Sequence, residues 1–433
     1  MTPEARDRIG QIRHGNVPEG YKPSKLGTIP ENWMTISLGE LGESKNGLNF
    51  HRDDEGYTVR VLGVGDFKDR SVMHGVETLT EVSLSSPPDG DCFLQDGDIV
   101  FVRSNGSKEL VGRNLLVYPD NAVVSYSGFC IRYRIQNIDL TTPEYVNFIL
   151  DSGVLKKKLQ KENQGSNISN LNQDILNELT VALPIDKKEQ AKILQLLETQ
   201  NKVIELKEKL LAEKQRQKKY LMQQLLTGKK RLPGFEGEWE SVRLGEVLFE
   251  RKEKNIEQNH RICSVAVQKG VVNQVEHLGR SYAAADTSNY GVAHFGDIVY
   301  TKSPTGDFPY GIIKQSQMNE DVAISPLYGI YEPTCYELGY ILHTYFSYAI
   351  NCSNYLLPII QKGAKNTINI TNDIFVSNRL YLPLNSKEQK ALAKIFITAD
   401  QEIDLLRQDI EQEKQKKKAL MQLLLTGIVR VNE

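Results

Sequence analysis

Four polar loops hold side chains whose types suit contact with phosphates and base edges. In the first half of the chain, residues 103–113 follow the run Gly97-Asp98-Ile99-Val100 and supply Arg103, Ser104, Asn105, Lys108 and Arg113. In the second half, Lys302-Ser303-Pro304-Thr305-Gly306-Asp307 follows Gly296-Asp297-Ile298-Val299 and supplies Lys302, Ser303 and Thr305, with Asp307 as its acidic member. A second pair of loops, 161–170 and 362–369, supplies Lys161, Gln164, Ser166 and Asn167, then Lys362, Lys365, Asn366 and Thr367. Arginine and lysine can engage phosphate or the acceptor edge of guanine, asparagine and glutamine can pair with adenine, and serine or threonine can serve either. Glycine between them lets backbone come close. Polar loops of this kind occur on many protein surfaces; their recurrence at matching places in both halves is what points to nucleic acid.

Other chemistries lack their residues. No glycine-rich run ending in Gly-Lys-Ser or Gly-Lys-Thr is present to cradle a nucleotide, and no Gly-x-Ser-x-Gly elbow presents a nucleophile. Ser86-Pro87-Pro88-Asp89 reads as a turn rather than the Asn-Pro-Pro-aromatic motif of adenine methyltransferases. The seven histidines form no HxxxH or HExxH pair, so neither a zinc site nor any catalytic residue is expected. The five cysteines (Cys92, Cys130, Cys263, Cys335 and Cys352) are scattered without a CxxC pair and read as reduced thiols of a cytoplasmic protein. In that setting the sequons at Asn167 and Asn369 carry no meaning for glycosylation. Residues 1–14 lack the apolar core of a signal peptide, and no apolar run approaches the roughly 18 residues needed to span a bilayer. The formal net charge of −2 neither favours nor forbids a nucleic-acid partner, because phosphates respond to local basic faces.

The elements that must position these loops are declared by an internal repeat. Leu183-Pro184-Ile185-Asp186-Lys187-Lys188-Glu189-Gln190 returns 199 positions later as Leu382-Pro383-Leu384-Asn385-Ser386-Lys387-Glu388-Gln389. Lys219 to Gly228 returns as Lys418 to Gly427 at the same offset of 199, as do the two Gly-Asp-Ile-Val runs. Trp33 with Leu38-Gly39-Glu40-Leu41 returns as Trp239 with Leu244-Gly245-Glu246-Val247, at an offset of 206. The chain reads as a tandem duplication of a variable domain and a closing helix. Asp186 with Glu189, and Asn385 with Glu388, have capping-box spacing, and Gly228 and Gly427 stand where a left-handed residue would end each helix. Leu197, Ile204 and Leu211, matched by Phe396, Ile403 and Ile410, form a pairing stripe spaced by seven. About 40 residues at about 1.5 Å each make a rod of about 60 Å.

The second variable domain follows one rod and leads straight into the other. Parallel rods would require that domain to bridge about 60 Å, more than a domain of this size spans. Antiparallel rods are therefore expected, with the variable domains at opposite ends. The basic runs 214–219 and 414–418 read first as solvated helix faces, and otherwise as surfaces for phosphate or a partner subunit. The variable regions alternate short β-type runs (98–103, 114–118, 297–302) with turns and end in helical stretches, 143–158 and 336–350. The expected class is α+β: two similar α/β domains, two long antiparallel coiled-coil helices and pseudo-twofold symmetry. Its segments are an extension over 1–28, a domain over 29–184, a helix over 185–228, a domain over 229–383, a helix over 384–428 and a tail over 429–433.

This order of motifs resembles the specificity subunits of Type I restriction-modification systems. It runs from Ile29-Pro30-Glu31-Asn32-Trp33 through the Leu-Pro and Leu-Leu-Thr-Gly repeats, and the likeness spans roughly Leu26 to Gly427, leaving the first 25 residues unmatched. The resemblance implies that each variable domain is a target-recognition domain reading one half of an asymmetric, bipartite double-stranded DNA sequence. It implies that the helices set the unread gap and dock two methyltransferase subunits, and that motor-nuclease subunits complete a host-defence complex. S-adenosylmethionine, ATP and magnesium would then sit on those partners and no cofactor on this chain, which would be non-catalytic. Two other readings are a specificity subunit of a Type IIB-like fused system, and a coiled-coil adaptor that binds only proteins.

Overall fold

The computed structural model describes residues 3–51, 53–68, 70–107, 109–162, 170–362 and 368–431. The chain divides into two compact units, Met1–Leu206 with Ile410–Glu433, and Lys207–Asp409. Two 39-residue helices, Lys187–Leu225 and Ser386–Leu424, each give part of their length to both units.

In the first unit a five-stranded sheet runs in the order Gly42–Asn46, Cys130–Ile135, Asp98–Val102, Asn114–Tyr118, Val72–His74. One face packs on the helices Pro143–Asp151 and Val154–Glu162, through Ile99, Phe101, Ile131 and Tyr133 against Tyr145, Ile149 and Leu155. The other face, with Val100, Val102, Leu115 and Val117, covers the three-stranded sheet Val124–Tyr126, Tyr57–Leu62, Thr80–Leu84. Successive residues of these strands are buried against opposite layers because side chains alternate faces with the two-residue period of a strand. The single helical stretch expected over 143–158 is two helices, because Gly153 takes a left-handed φ of +87° between them.

The second unit holds a four-stranded sheet in the order Leu248–Glu250, Gly329–Pro333, Ile298–Tyr300, Ile313–Gln315. A second four-stranded sheet runs Gly270–Asn273, Arg261–Ala266, Val322–Ile324, Gly291–Ala293. Here too the expected stretch 336–350 is two helices, Tyr336–Phe346 and Ala349–Leu356. Both units thus mix strands and helices, and in each the strand after Gly-Asp is central to its sheet.

That strand is fixed by a buried ion pair. Gly97 and Gly296 adopt φ of +87° and +91°, turning the chain so that Asp98 and Asp297 face inward, 1% and 2% exposed. Asp98 accepts two hydrogen bonds from Arg134, both 2.7 Å, and one from the Gln95 amide. Asp297 accepts two from Arg251, at 2.6 and 3.0 Å, and one from the His294 amide. A bidentate guanidinium with a backbone donor meets most of what a buried carboxylate requires.

Within each unit the helical segments run antiparallel. In the first, Gln200 reaches Glu413 at 2.6 Å while Glu189 is bound by Arg430. In the second, Lys207 meets Asp409 at 2.8 Å, Lys214 meets Glu402 at 2.7 Å, and Lys218 meets Asp400. Leu197, Ile204 and Ile410 are buried in the first unit and Phe396 and Ile403 in the second, whereas Leu211 is only half-buried. The basic run 214–219 is not a bare solvated face: Lys214 and Lys218 hold acids of the other helix, and Lys219 lies over the Tyr348 ring. Among the described residues no helix is long and apolar enough to cross a membrane.

Candidate nucleic-acid interface

The repeated motifs at the helix starts serve as a framework. Asp186 and Asn385 accept from the amides of Lys188 and Lys387, the N-cap role expected of them. Their capping-box partners give their carboxylates elsewhere: Glu189 to Arg430 at 2.7 and 2.8 Å, and Glu388 to Arg231 at 2.8 and 2.7 Å. Gln190 and Gln389 donate back to the carbonyls of Pro184 and Pro383, both at 2.8 Å. At the helix ends Gly228 and Gly427 take φ of +68° and +71°, and the amides of Lys230 and Val429 reach back six residues to Gln224 and Leu423. A Cβ at Gly427 would lie 2.5 Å from Pro30, so glycine is required for the close approach as well as for the angle.

On this framework the polar loops of the first unit converge. Arg103 is half-buried; its amide donates to the Phe129 carbonyl at 2.8 Å and its guanidinium to the Gly128 carbonyl at 3.4 Å. The amide of Leu171, just beyond the second loop, donates to the Arg103 carbonyl at 2.9 Å, so both loops are anchored at one residue. Ser104 is half-buried, and Asn105 is exposed with its side-chain oxygen capping the Ser107 amide at 2.8 Å. Arg113 is half-buried and lies within electrostatic reach of Asp151. Lys108, Gln164, Ser166 and Asn167 lie outside the described residues, and Lys161 is placed by its backbone alone, in the helix Val154–Glu162.

In the second unit Lys302 occupies the position of Arg103 and holds a left-handed φ of +58°, an uncommon conformation for a side-chain-bearing residue. Burial lowers its pKa, and Glu250 opposes the shift. Ser303 and Thr305 are exposed on a small hairpin closed by the mutual Thr305 and Phe308 backbone hydrogen bonds. Glu250 also accepts from Asn372, just beyond the second loop, so the same carboxylate lies within electrostatic reach of Lys302 and holds the second loop's exit. Lys362 is placed by its backbone in a short strand with Ile368–Asn369; Lys365, Asn366 and Thr367 lie outside the described residues.

Sequence reasoning did not single out the residues that line these loops on the neighbouring strand. A cavity of about 270 Å³ is lined by Arg251, Lys252, Lys254, Tyr328 and Asn372, joining basic groups from the region after Glu250 to the Ser325–Tyr328 turn. Phe129 and Leu327 stand 62% and 71% exposed on the corresponding turns, which connect one sheet to the other in each unit. Their signal in the sequence was a large apolar residue inside a turn rich in Ser, Gly and Pro, which is visible only once strand register is known. Among the described residues no group of three or more His, Cys, Asp or Glu side chains is placed to hold a metal ion.

Comparison with known proteins agrees with this architecture. Residues 30–215 match the Type I restriction modification DNA specificity domain. A chain of Methanocaldococcus jannaschii assigned as the specificity subunit of type I restriction enzyme MjaX is 27% identical over 446 residues, covering 95% of this chain and 97% of that one. The StySPI specificity subunit of Salmonella potsdam is 30% identical over 171 residues, covering 38% of this chain and 35% of its own. In fold, the chain is similar to the S subunit of the Type I system of M. genitalium, with a TM-score of 0.52 at 13% identity over 91% of this chain and 96% of that one. A structure described for assembly and conformational transition of the type I R-M system gives a TM-score of 0.54 at 16% identity, over 93% and 99%.

Proposed function

We propose that the chain is a Type I restriction-modification DNA-specificity subunit and that it reads a bipartite DNA target without performing chemistry itself. The match of residues 30–215 to that specificity domain and the full-length likeness to the MjaX subunit support this reading. Each variable domain, residues 29–184 and 229–383, takes one half of the target, and the coiled-coil helices 185–228 and 384–428 set the unread gap. Those helices dock two methyltransferase subunits, which bring S-adenosylmethionine, while motor-nuclease subunits bring ATP and magnesium. The extension 1–28 and the tail 429–433 stand outside this division. The two domains derive from a tandem duplication, and their differing loops make the two half-sites different.

One observation carries this reading. In each unit the buried Gly-Asp strand ends in a cation, Arg103 or Lys302; the exit of the second polar loop is bonded to Arg103 itself in the first unit and to Glu250, within electrostatic reach of Lys302, in the second. Phosphate contacts would set the register on the duplex, and loop side chains would read bases. Co-expressing the chain with its methyltransferase subunit and mapping methylated adenines tests the proposal. It predicts one asymmetric split sequence with an adenine modified in each half. A map with no preferred sequence would instead favour a protein-only adaptor; neighbouring reading frames separate a Type I from a Type IIB-like setting.

A further inference from the structure

In both units the strand after Gly-Asp runs into a cation, and the turn before its antiparallel neighbour carries an exposed apolar side chain. In the first, Cys130 pairs with Val102, and the next step places Phe129 opposite Arg103, an arrangement the Arg103 amide to Phe129 carbonyl hydrogen bond of 2.8 Å seals. In the second, the ladder ends at Gly329 opposite Tyr300, and Leu327 holds the same third place in the closed turn Ser325–Tyr328 that Phe129 holds in Ser127–Cys130. Each unit thus has a half-buried cation and a large apolar side chain that the fold leaves in water, 62% exposed for Phe129 and 71% for Leu327.

A lone exposed hydrophobe needs no explanation. The same turn position occupied by one in both units, each in the turn that leads into the antiparallel neighbour of the Gly-Asp strand, does. Phe129 is also held in place rather than merely exposed. Its turn is closed by the Gly128 amide to Leu48 carbonyl hydrogen bond at 2.6 Å, and Gly128 lies so close to Asn49 that a Cβ would fall 2.1 Å from its side-chain oxygen. Holding a ring fixed and solvated is useful when a partner supplies the missing contact without an ordering cost. In a duplex the apolar feature displayed in the major groove beside phosphates and polar edges is the thymine C5-methyl.

We propose that Phe129 and Leu327 are specificity-determining residues, each packing on a thymine methyl in the half-site read by its own domain while the same unit's Arg103 or Lys302 holds the backbone or a guanine. This rests on the reading of the chain as a DNA-specificity subunit. The side chain contributes only apolar surface, so its selectivity is for the methyl and not for hydrogen-bonding pattern.

The test uses the chain assembled with its methyltransferase subunits and duplexes carrying the mapped target, with each thymine replaced in turn by deoxyuridine. Burying one methyl is worth enough that its removal at the contacted position should weaken wild-type binding about fourfold. Phe129→Ala should weaken binding to the unmodified target and abolish that deoxyuridine penalty in its own half-site, leaving the other half-site's response unchanged. Phe129→Leu should retain most of the penalty, which separates a contact from a folding defect; Leu327→Ala should do the same for the other half. A deoxyuridine penalty equal in wild type and Phe129→Ala at every thymine, or wild-type indifference to all of them, overturns the inference. Absence of any sequence preference in the wild-type complex would instead defeat the underlying reading.

Discussion

The two units place the same latch in unlike surroundings. In the second, Arg231 binds Glu388 through both carboxylate oxygens, stacks over the Trp239 ring and donates to the Gly237 carbonyl, while the Trp239 indole donates to Glu388 at 3.3 Å. In the first, Arg430 binds Glu189 with equal geometry, but the buried indole nitrogen of Trp33 has no hydrogen-bond partner among the described residues. Arg231 and Trp239 belong to one short run of chain, so closing the loop between them costs little; Arg430 and Trp33 come from far apart in sequence. Equal motifs therefore do not make equal sites. What the repeat preserves is the charge pair, and what it leaves free is how completely the neighbours satisfy it.

The edges of the two main sheets differ in the same way. The strand Asn114–Tyr118 is flanked by a fifth strand, Val72–His74. Its counterpart Ile313–Gln315 is an edge, and the Gln315 amide donates to the His343 ring at 3.0 Å. Burial, with Lys314 and Lys218 nearby, holds His343 down at about 3, so it stays a neutral acceptor. A side chain thus does locally what a strand does in the other unit.

The largest effect should come where the units agree. Asp98→Ala and Asp297→Ala each remove the bidentate carboxylate of a largely buried arginine and a backbone cap, at a cost of about 3–5 kcal/mol, although Arg251 keeps the exposed Glu332 at 3.2 Å. Amide exchange, which reports each unit separately, should show matched losses confined to the mutated unit; clearly unequal losses would break the equivalence. The latches should differ. Glu388→Ala should cost about 3 kcal/mol and Glu189→Ala roughly 1 kcal/mol less, because only the former also deprives an indole of its acceptor. Identical values would show that Trp239 adds nothing.

In DNA binding, Arg103→Ala and Lys302→Ala should each cost about 1–3 kcal/mol and relax or weaken one half-site only, read by methylation mapping across sequence variants. The smallest effect concerns the buried Lys314, which burial lowers to about 8, with Lys218 adding to the shift and Asp400 opposing it. The unfolded chain holds that proton more tightly, so the second unit gains stability as pH rises from about 8 toward the ordinary lysine range near about 10.4. Lys314→Met should raise stability at neutral pH by on the order of 1 kcal/mol and remove that slope. The first unit, with Leu115 at the matching position, has no lysine there to produce it.

Much of the framework could be read from spacing. Helices of 39 residues lie where capping and glycine signals bounded them, and the strand Asn114–Tyr118 has the bounds its apolar run indicated. Gly-Asp-Ile-Val was visible as a repeat, but its partners were not: Arg134 follows the motif and Arg251 precedes it, so no fixed offset links them. Glu189 and Glu388 were read as caps because helix-start spacing is a local signal, whereas their arginines arrive from the other helix's end. Arg103 and Lys302 were legible by type and position as the cations that follow the two Gly-Asp-Ile-Val strands, whereas the electrostatic reach of Arg113 to Asp151 depends on tertiary packing. Phe129 and Leu327 escaped because burial, not residue type, distinguishes an exposed ring from a core one.

The central claim is that each unit reads DNA on its own. Exchanging residues 34–182 for the corresponding domain of a related specificity subunit and mapping methylated adenines in cells that also supply the methyltransferase tests it most directly. The account predicts a new sequence in one half of the target, with the other half and the gap length kept; a simultaneous change in both halves would contradict it.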